Sequence, residues 1–115
     1  MVTIYHNPRC SKSRQTLALL QSRGIEPNVV DYLKDPPSAA ELKAILKTLG
    51  MRPHDLVRRG EARYAELGLA ECALSDDELI ALMVANPVLI ERPIVVSGKK
   101  AAIGRPPEKA LEILE

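Results

Sequence analysis

Val2-Thr3-Ile4-Tyr5-His6-Asn7-Pro8-Arg9-Cys10-Ser11-Lys12-Ser13-Arg14 opens the chain, and Gln15 to Arg23 with Gly24 completes its first structural unit. Val2 to Tyr5 is a β-branched and aromatic run, and Asn7-Pro8 is a turn signal that stops a strand. From Ser11 a polar first turn leads into Leu17, Leu19 and Leu20, and Gly24 suits the left-handed position past a helix end. The stretch therefore predicts strand, turn and helix, with Cys10 at the mouth of the helix. Asn28 to Tyr32, bounded by Pro27 and by Pro36-Pro37, reads as a second strand and completes a βαβ unit with a parallel pair.

Working outward, Ser38-x-x-Glu41 is a capping box, with Leu42, Ile45, Leu46 and Leu49 at i, i+3, i+4 and i+7 behind it and Gly50 after them. A second box, Ser75-x-x-Glu78, opens a helix through Leu79, Leu82 and Met83 that Asn86-Pro87 closes. Pro53 to Arg59 reads as a short helix. After Arg92-Pro93, the runs Ile94 to Ser97 and Lys100 to Ile103 flank Gly98-Lys99 as a hairpin, and Pro107 with Leu111 and Leu114 predicts a closing helix. The order β-α-β, helical insert, β-β-α describes an α/β domain: a four-stranded mixed sheet with flanking helices, laid out as in thioredoxin-like proteins. Residues 1–115 read as one such domain, with a helical insertion at about 38–86 between strands 2 and 3.

At 115 residues, 46% hydrophobic and 27% charged, the chain has no room for a second full domain. Its formal charge of +1 lacks the surplus that non-specific nucleic-acid binding draws on. Trp and Phe are absent, and Tyr5, Tyr32 and Tyr64 are the only aromatics, so base-stacking platforms are also missing. No basic segment leads into a long apolar one, and the longest apolar run is Leu79 to Ala85. Neither export nor membrane spanning is expected, and the expected compartment is the reducing cytoplasm.

Cys10 is the sharpest candidate. A thiol at the first turn of a helix meets unsatisfied N–H groups and the positive end of the helix dipole, where cysteine pKa values fall to roughly 3.5 to 7.5 from about 8.5. A two-unit drop takes the thiolate fraction at pH 7 from about 3% to about three quarters. His6, Arg9, Lys12 and Arg14 surround it, and no acid lies between Met1 and Gln21. The competing reading, an inert small hydrophobe, suits aliphatic surroundings rather than these. Position 13 is Ser, so a dithiol cycle within the motif is excluded; the Ser13 hydroxyl can instead donate to the thiolate or to a bound oxyanion. Cys72 follows Glu71 with no activating setting and reads as a bystander.

His6 is either a strand end satisfied by backbone or a group that lowers the thiol pKa as a cation or donor. His54 reads as surface. The two Cys and two His lack paired ligand spacing, so no metal is expected. Arg58-Arg59 close the short helix, Arg92 precedes Pro93 at the start of a strand, and Arg105 follows Gly104. Taken singly each is a solvated charge; Arg92 stands out because a cis X-Pro there would present backbone and side chain beside the helix mouth. Phosphate-loop and dinucleotide patterns are absent.

Tyr5 to Arg14, Asp31-Tyr32-Leu33 with Pro36-Pro37, Leu67-Gly68-Leu69, and Leu89-Ile90-Glu91-Arg92-Pro93-Ile94, taken in that order, resemble the glutaredoxin-dependent arsenate reductase family, ArsC. The resemblance runs from residue 3 to about residue 114. It implies a thioredoxin-like fold with a helical insertion, Cys10 as nucleophile, His6 as the thiol-activating histidine, and Arg58, Arg92 and Arg105 as oxyanion-binding arginines. It also implies arsenate as substrate, glutathione as co-substrate and glutaredoxin as protein partner, with no tightly bound cofactor. Two other readings stay open. One is a glutathione-dependent thiol oxidoreductase whose arginines read glutathione carboxylates. The other is an Spx-type regulator of RNA polymerase, a group that shares the fold but typically carries a second Cys where this chain has Ser13.

Overall fold

The computed structural model describes residues 2–71 and 73–113. Cys72, expected as a bystander, and Leu114, expected on the closing helix, lie outside them. The chain divides into two compact units, Met1–Asp35 with Arg92–Glu115 and Pro36–Glu91.

The first unit is built on a sheet of order β2-β1-β3-β4, with β1 at Val2–His6, β2 at Asn28–Asp31, β3 at Ile94–Ser97 and β4 at Lys100–Ile103. β1 and β2 are parallel, joined by helix α1 at Ser11–Ser22, while β3 is antiparallel to both β1 and β4. The β1–β3 register sets Ile4 opposite Val95, and side chains directly opposite share a face. Both are fully buried, together with Leu20 from α1 and Ala110, and Val2, Leu17, Ile25 and Ile113 pack around them. At Gly98, φ is 60° and no non-glycine residue has positive φ among the described residues, so the two-residue hairpin is a type II′ turn, whose hand matches the strand twist.

The closing segment Pro107–Ile113 is a 3-10 helix rather than an α-helix. With three residues per turn, Pro107, Ala110 and Ile113 align on one face, so Ala110 and Ile113 pack the core while Leu111 is half-buried.

The second unit is helical: α2 at Ala39–Leu49, α3 at Pro53–Leu56, α4 at Ala62–Glu66, a 3-10 turn at Leu69–Glu71, α5 at Asp76–Ala85 and another 3-10 turn at Pro87–Leu89. Both capping boxes form: the Ser38 hydroxyl accepts from Glu41 N–H at 3.1 Å, and the Ser75 hydroxyl accepts from Glu78 N–H at 3.2 Å. Leu42, Ile45 and Leu46 on α2 are buried, as are Leu79, Ile80 and Met83 on α5. The helix expected to reach Arg59 stops at Leu56. Val57 turns extended and bridges Ile90, with Arg58 N–H donating to Leu89 O at 2.7 Å and Glu91 N–H to Leu56 O at 3.0 Å. That long-range pairing outweighs the local helical pattern, so Arg58 and Arg59 follow a bridge instead of ending a helix. Among the described residues no helix is long and apolar enough to cross a membrane.

Candidate active site

The loop from Asn7 to Cys10 is held by one backbone and two side-chain hydrogen bonds. Cys10 N–H donates to Asn7 O at 3.0 Å, Arg9 N–H donates to the Asn7 side-chain oxygen at 2.9 Å, and the Arg14 guanidinium donates to Pro8 O at 2.9 Å. These contacts seat Cys10 as the N-cap residue of α1, extended at φ −92° and ψ 122°. Such a residue lies beside the N–H groups that a helix leaves without internal partners.

Two opposing effects act on the sulfur. Burial pushes the Cys10 thiol up, but the peptide N–H of Ser13, the Arg92 side chain, the Arg105 charge and the peptide N–H of Lys12 together outweigh it, leaving the thiol below its ordinary value. Arg105 Nη2 stands 3.3 Å from Cys10 Sγ, and Arg105 Nε donates to the Arg92 carbonyl oxygen at 2.7 Å. Arg92 itself is 9% exposed, and its peptide bond to Pro93 is cis, as is Arg105–Pro106. Two arginines that flank the open end of the β3–β4 hairpin, one before β3 and one after β4, thus meet at one sulfur.

His6 and Ser13 form a buried pair, with His6 Nδ1 2.6 Å from Ser13 Oγ, and the same hydroxyl accepts from Asn7 N–H at 3.0 Å. Burial holds His6 below the ordinary imidazole range against a raising effect from Asp31, so at pH 7 its ring is neutral. The cationic role open to His6 in the sequence therefore gives way to a neutral ring bound to Ser13. Likewise the Ser13 hydroxyl, expected to face the thiolate or an oxyanion, is engaged by His6 and Asn7; what Ser13 offers the sulfur is its peptide N–H. The link from His6 to Cys10 runs through one residue.

Arg58 belongs to the helical unit, where its guanidinium is 3.7 Å from both Glu61 and Glu91. It lines a groove of about 450 Å³ with His54, Arg59 and Glu91. Among the described residues no three of His, Cys, Asp and Glu converge as a metal site requires.

Two residues at the site went unread in the sequence. Thr16, fully buried on α1, has its hydroxyl 2.8 Å from Lys12 O and 3.4 Å from Gly104 O. Gly104, noted only as the residue ahead of Arg105, is buried where β4 ends. The only local signal was a polar residue on the helix face that carries Leu20.

The fold and the site together define a thioredoxin-like protein with an activated thiol, Cys10, under two guanidinium groups. The chain belongs to the ArsC family, whose profile matches residues 5–113. Among its relatives, YfgD of Escherichia coli K12 is 58% identical over 98% of this chain and 96% of its own length. A Haemophilus influenzae protein named arsenate reductase is 49% identical over 98% of both chains. The structure titled as arsenate reductase from Vibrio cholerae superposes with a TM-score of 0.94 at 53% identity, covering 97% of this chain and 96% of that one.

Proposed function

We propose that this chain reduces arsenate to arsenite through a covalent Cys10 intermediate, using glutathione and glutaredoxin as thiol reductants in the cytoplasm. The observation that carries the reading is Arg105 Nη2 at 3.3 Å from Cys10 Sγ, with Arg92 tied to the same guanidinium. A thiolate approaching an arsenate dianion is anion against anion, and at contact distance in a partly dry site the repulsion amounts to several kcal/mol. Fork-shaped, permanently charged guanidiniums offset it and match the tetrahedral oxygens. The relatives named arsenate reductase support the choice of oxyanion.

In the proposed cycle the Cys10 thiolate attacks As(V), an arsenic–oxygen bond breaks, and that oxygen leaves as water after taking up protons. Glutathione displaces a second oxygen in the same way, with arsenic still As(V). A glutaredoxin thiolate then attacks the glutathione sulfur: the S–S bond forms, the S–As bond breaks, and its electron pair stays on arsenic as As(III). Water displaces Cys10 from As(III), releasing arsenite and returning the thiol. Arg58 enters as a third oxyanion ligand on the family resemblance alone. The test is arsenate-dependent consumption of reducing equivalents by the purified chain with glutathione and glutaredoxin, abolished by Cys10→Ser. Turnover of a glutathione mixed disulfide without arsenate turnover would support the thiol oxidoreductase reading instead.

A further inference from the structure

We propose that Thr16 and Gly104 are a positioning pair for the thiolate site: the side-chain-free backbone at Gly104 seats against Thr16, and that seat holds Arg105 over the Cys10 sulfur. A Cβ added at Gly104 would stand 2.5 Å from Thr16 Oγ1, 2.9 Å from Pro93 Cγ and 3.0 Å from Thr16 Cγ2. Carbon atoms do not approach oxygen or carbon that closely, so a side chain here forces Thr16, Pro93 or the end of β4 to shift. Gly104 lies outside the positive-φ glycines, so space, not backbone conformation, calls for glycine.

Both faces of Gly104 are engaged. Its N–H donates to Pro93 O at 3.0 Å and its carbonyl oxygen faces the Thr16 hydroxyl at 3.4 Å. The next residue is Arg105, whose Nε is on Arg92 O and whose Nη2 is on Cys10 Sγ. The contacts close a ring: Cys10 caps α1, Thr16 stands on α1 six positions later, Gly104 meets Thr16, and Arg105 returns to Cys10. A guanidinium at the end of a flexible stem needs such a fixed root, because displacing it by about 1 Å forfeits much of a contact made at hydrogen-bond distance.

The inference rests on Cys10 as the reacting thiolate and not on which oxyanion it attacks. The groups acting on the sulfur are Arg92, Arg105 and the peptide N–H groups of Ser13 and Lys12, with His6 behind Ser13. The test is iodoacetamide alkylation of the full chain in a Cys72→Ser background, followed against pH. Gly104→Ala is expected to raise the Cys10 midpoint by about one pH unit, the scale of one lost charge contact. Arg105→Ala should raise it too, and Arg105→Ala/Gly104→Ala should match Arg105→Ala alone, since Gly104 acts through Arg105. A wild-type midpoint for Gly104→Ala, or an equal rise in the Arg105→Ala background, overturns the proposal.

If Gly104→Ala does not fold, Thr16 decides. Thr16→Val keeps the shape and removes the hydroxyl, and should raise the midpoint, whereas Thr16→Ser keeps the hydroxyl and should not; a wild-type midpoint for Thr16→Val overturns the proposal. Alkylation reads the thiol whether or not arsenate is turned over, so failure of the positioning role and failure of the arsenate reading appear in different assays.

Discussion

Arg105 Nη2 lies 3.3 Å from Cys10 Sγ although 95 positions separate the two residues in the chain. The same guanidinium holds the Arg92 carbonyl oxygen through Nε, so its orientation is set before any substrate arrives. A preset donor costs no reorganisation when charge builds up on the sulfur or on a bound oxyanion.

The first consequence is a thiol that titrates below the free-cysteine value of about 8.5. Alkylation of Cys10 against pH should have its midpoint there, and both Arg92→Ala and Arg105→Ala should move it upward. Because the folded-state pKa is the lower one, the ionised thiol stabilises the fold fully above the unfolded pKa, and this contribution is lost as pH falls through the folded value. The melting-temperature gap between wild type and Cys10→Ser should therefore widen as pH rises. A midpoint at the free-thiol value removes the basis for thiolate chemistry.

His6 carries the same sign for a different reason. Its unfolded pKa is 6.5 and burial lowers the folded one, so the neutral ring's contribution is complete above 6.5 and is lost as pH falls through the folded value. Thermal unfolding of wild type should weaken below that pH more steeply than that of His6→Gln. Identical pH profiles would place the titrating group elsewhere.

Ser13→Ala separates stability from reactivity. It strands two buried polar partners, His6 Nδ1 and Asn7 N–H, at a cost of about 1 to 3 kcal/mol in denaturant unfolding. The peptide N–H at position 13 remains, so the Cys10 midpoint should move less than in Arg92→Ala. A larger shift than that of Arg92→Ala would mean that the hydroxyl acts on the sulfur directly.

Arsenate kinetics sort the arginines. Removing a donor that tightens on the transferring oxyanion lowers kcat and kcat/KM together, by about 100-fold where such donors have been deleted. Arg92→Ala, Arg105→Ala and Arg58→Ala should all show this. Arg92→Lys keeps the charge without the planar fork and should recover only part of the loss. Arg59→Ala, whose guanidinium donates to His54 O at 3.2 Å, should stay near wild type. A rise in KM alone for Arg92→Ala would make its contact one of ground-state binding.

The helices announced themselves through neighbours. Ser38 with Glu41 and Ser75 with Glu78 sit three positions apart, and the buried stripe Leu42, Ile45, Leu46 follows one helical period, so these segments were legible without any partner. The hairpin at Gly98 and the place of Cys10 at the start of α1 were legible for the same reason. In the segment after Pro53 the local pattern misled, because Val57 found Ile90 across the chain. The length of that helix was a tertiary outcome.

At the site the division is sharper. Composition and position in the sequence by themselves determined that Cys10 would have no second thiol within its motif, among basic residues, at a helix mouth. Only the tertiary structure decided that Arg105 covers the sulfur, that burial keeps His6 neutral on Ser13, and that Gly104 needs its missing side chain because Thr16 and Pro93 occupy the space. The reason is range: capping and periodicity act within about one helical turn, whereas these contacts depend on strand register and on which groups are shut away from water.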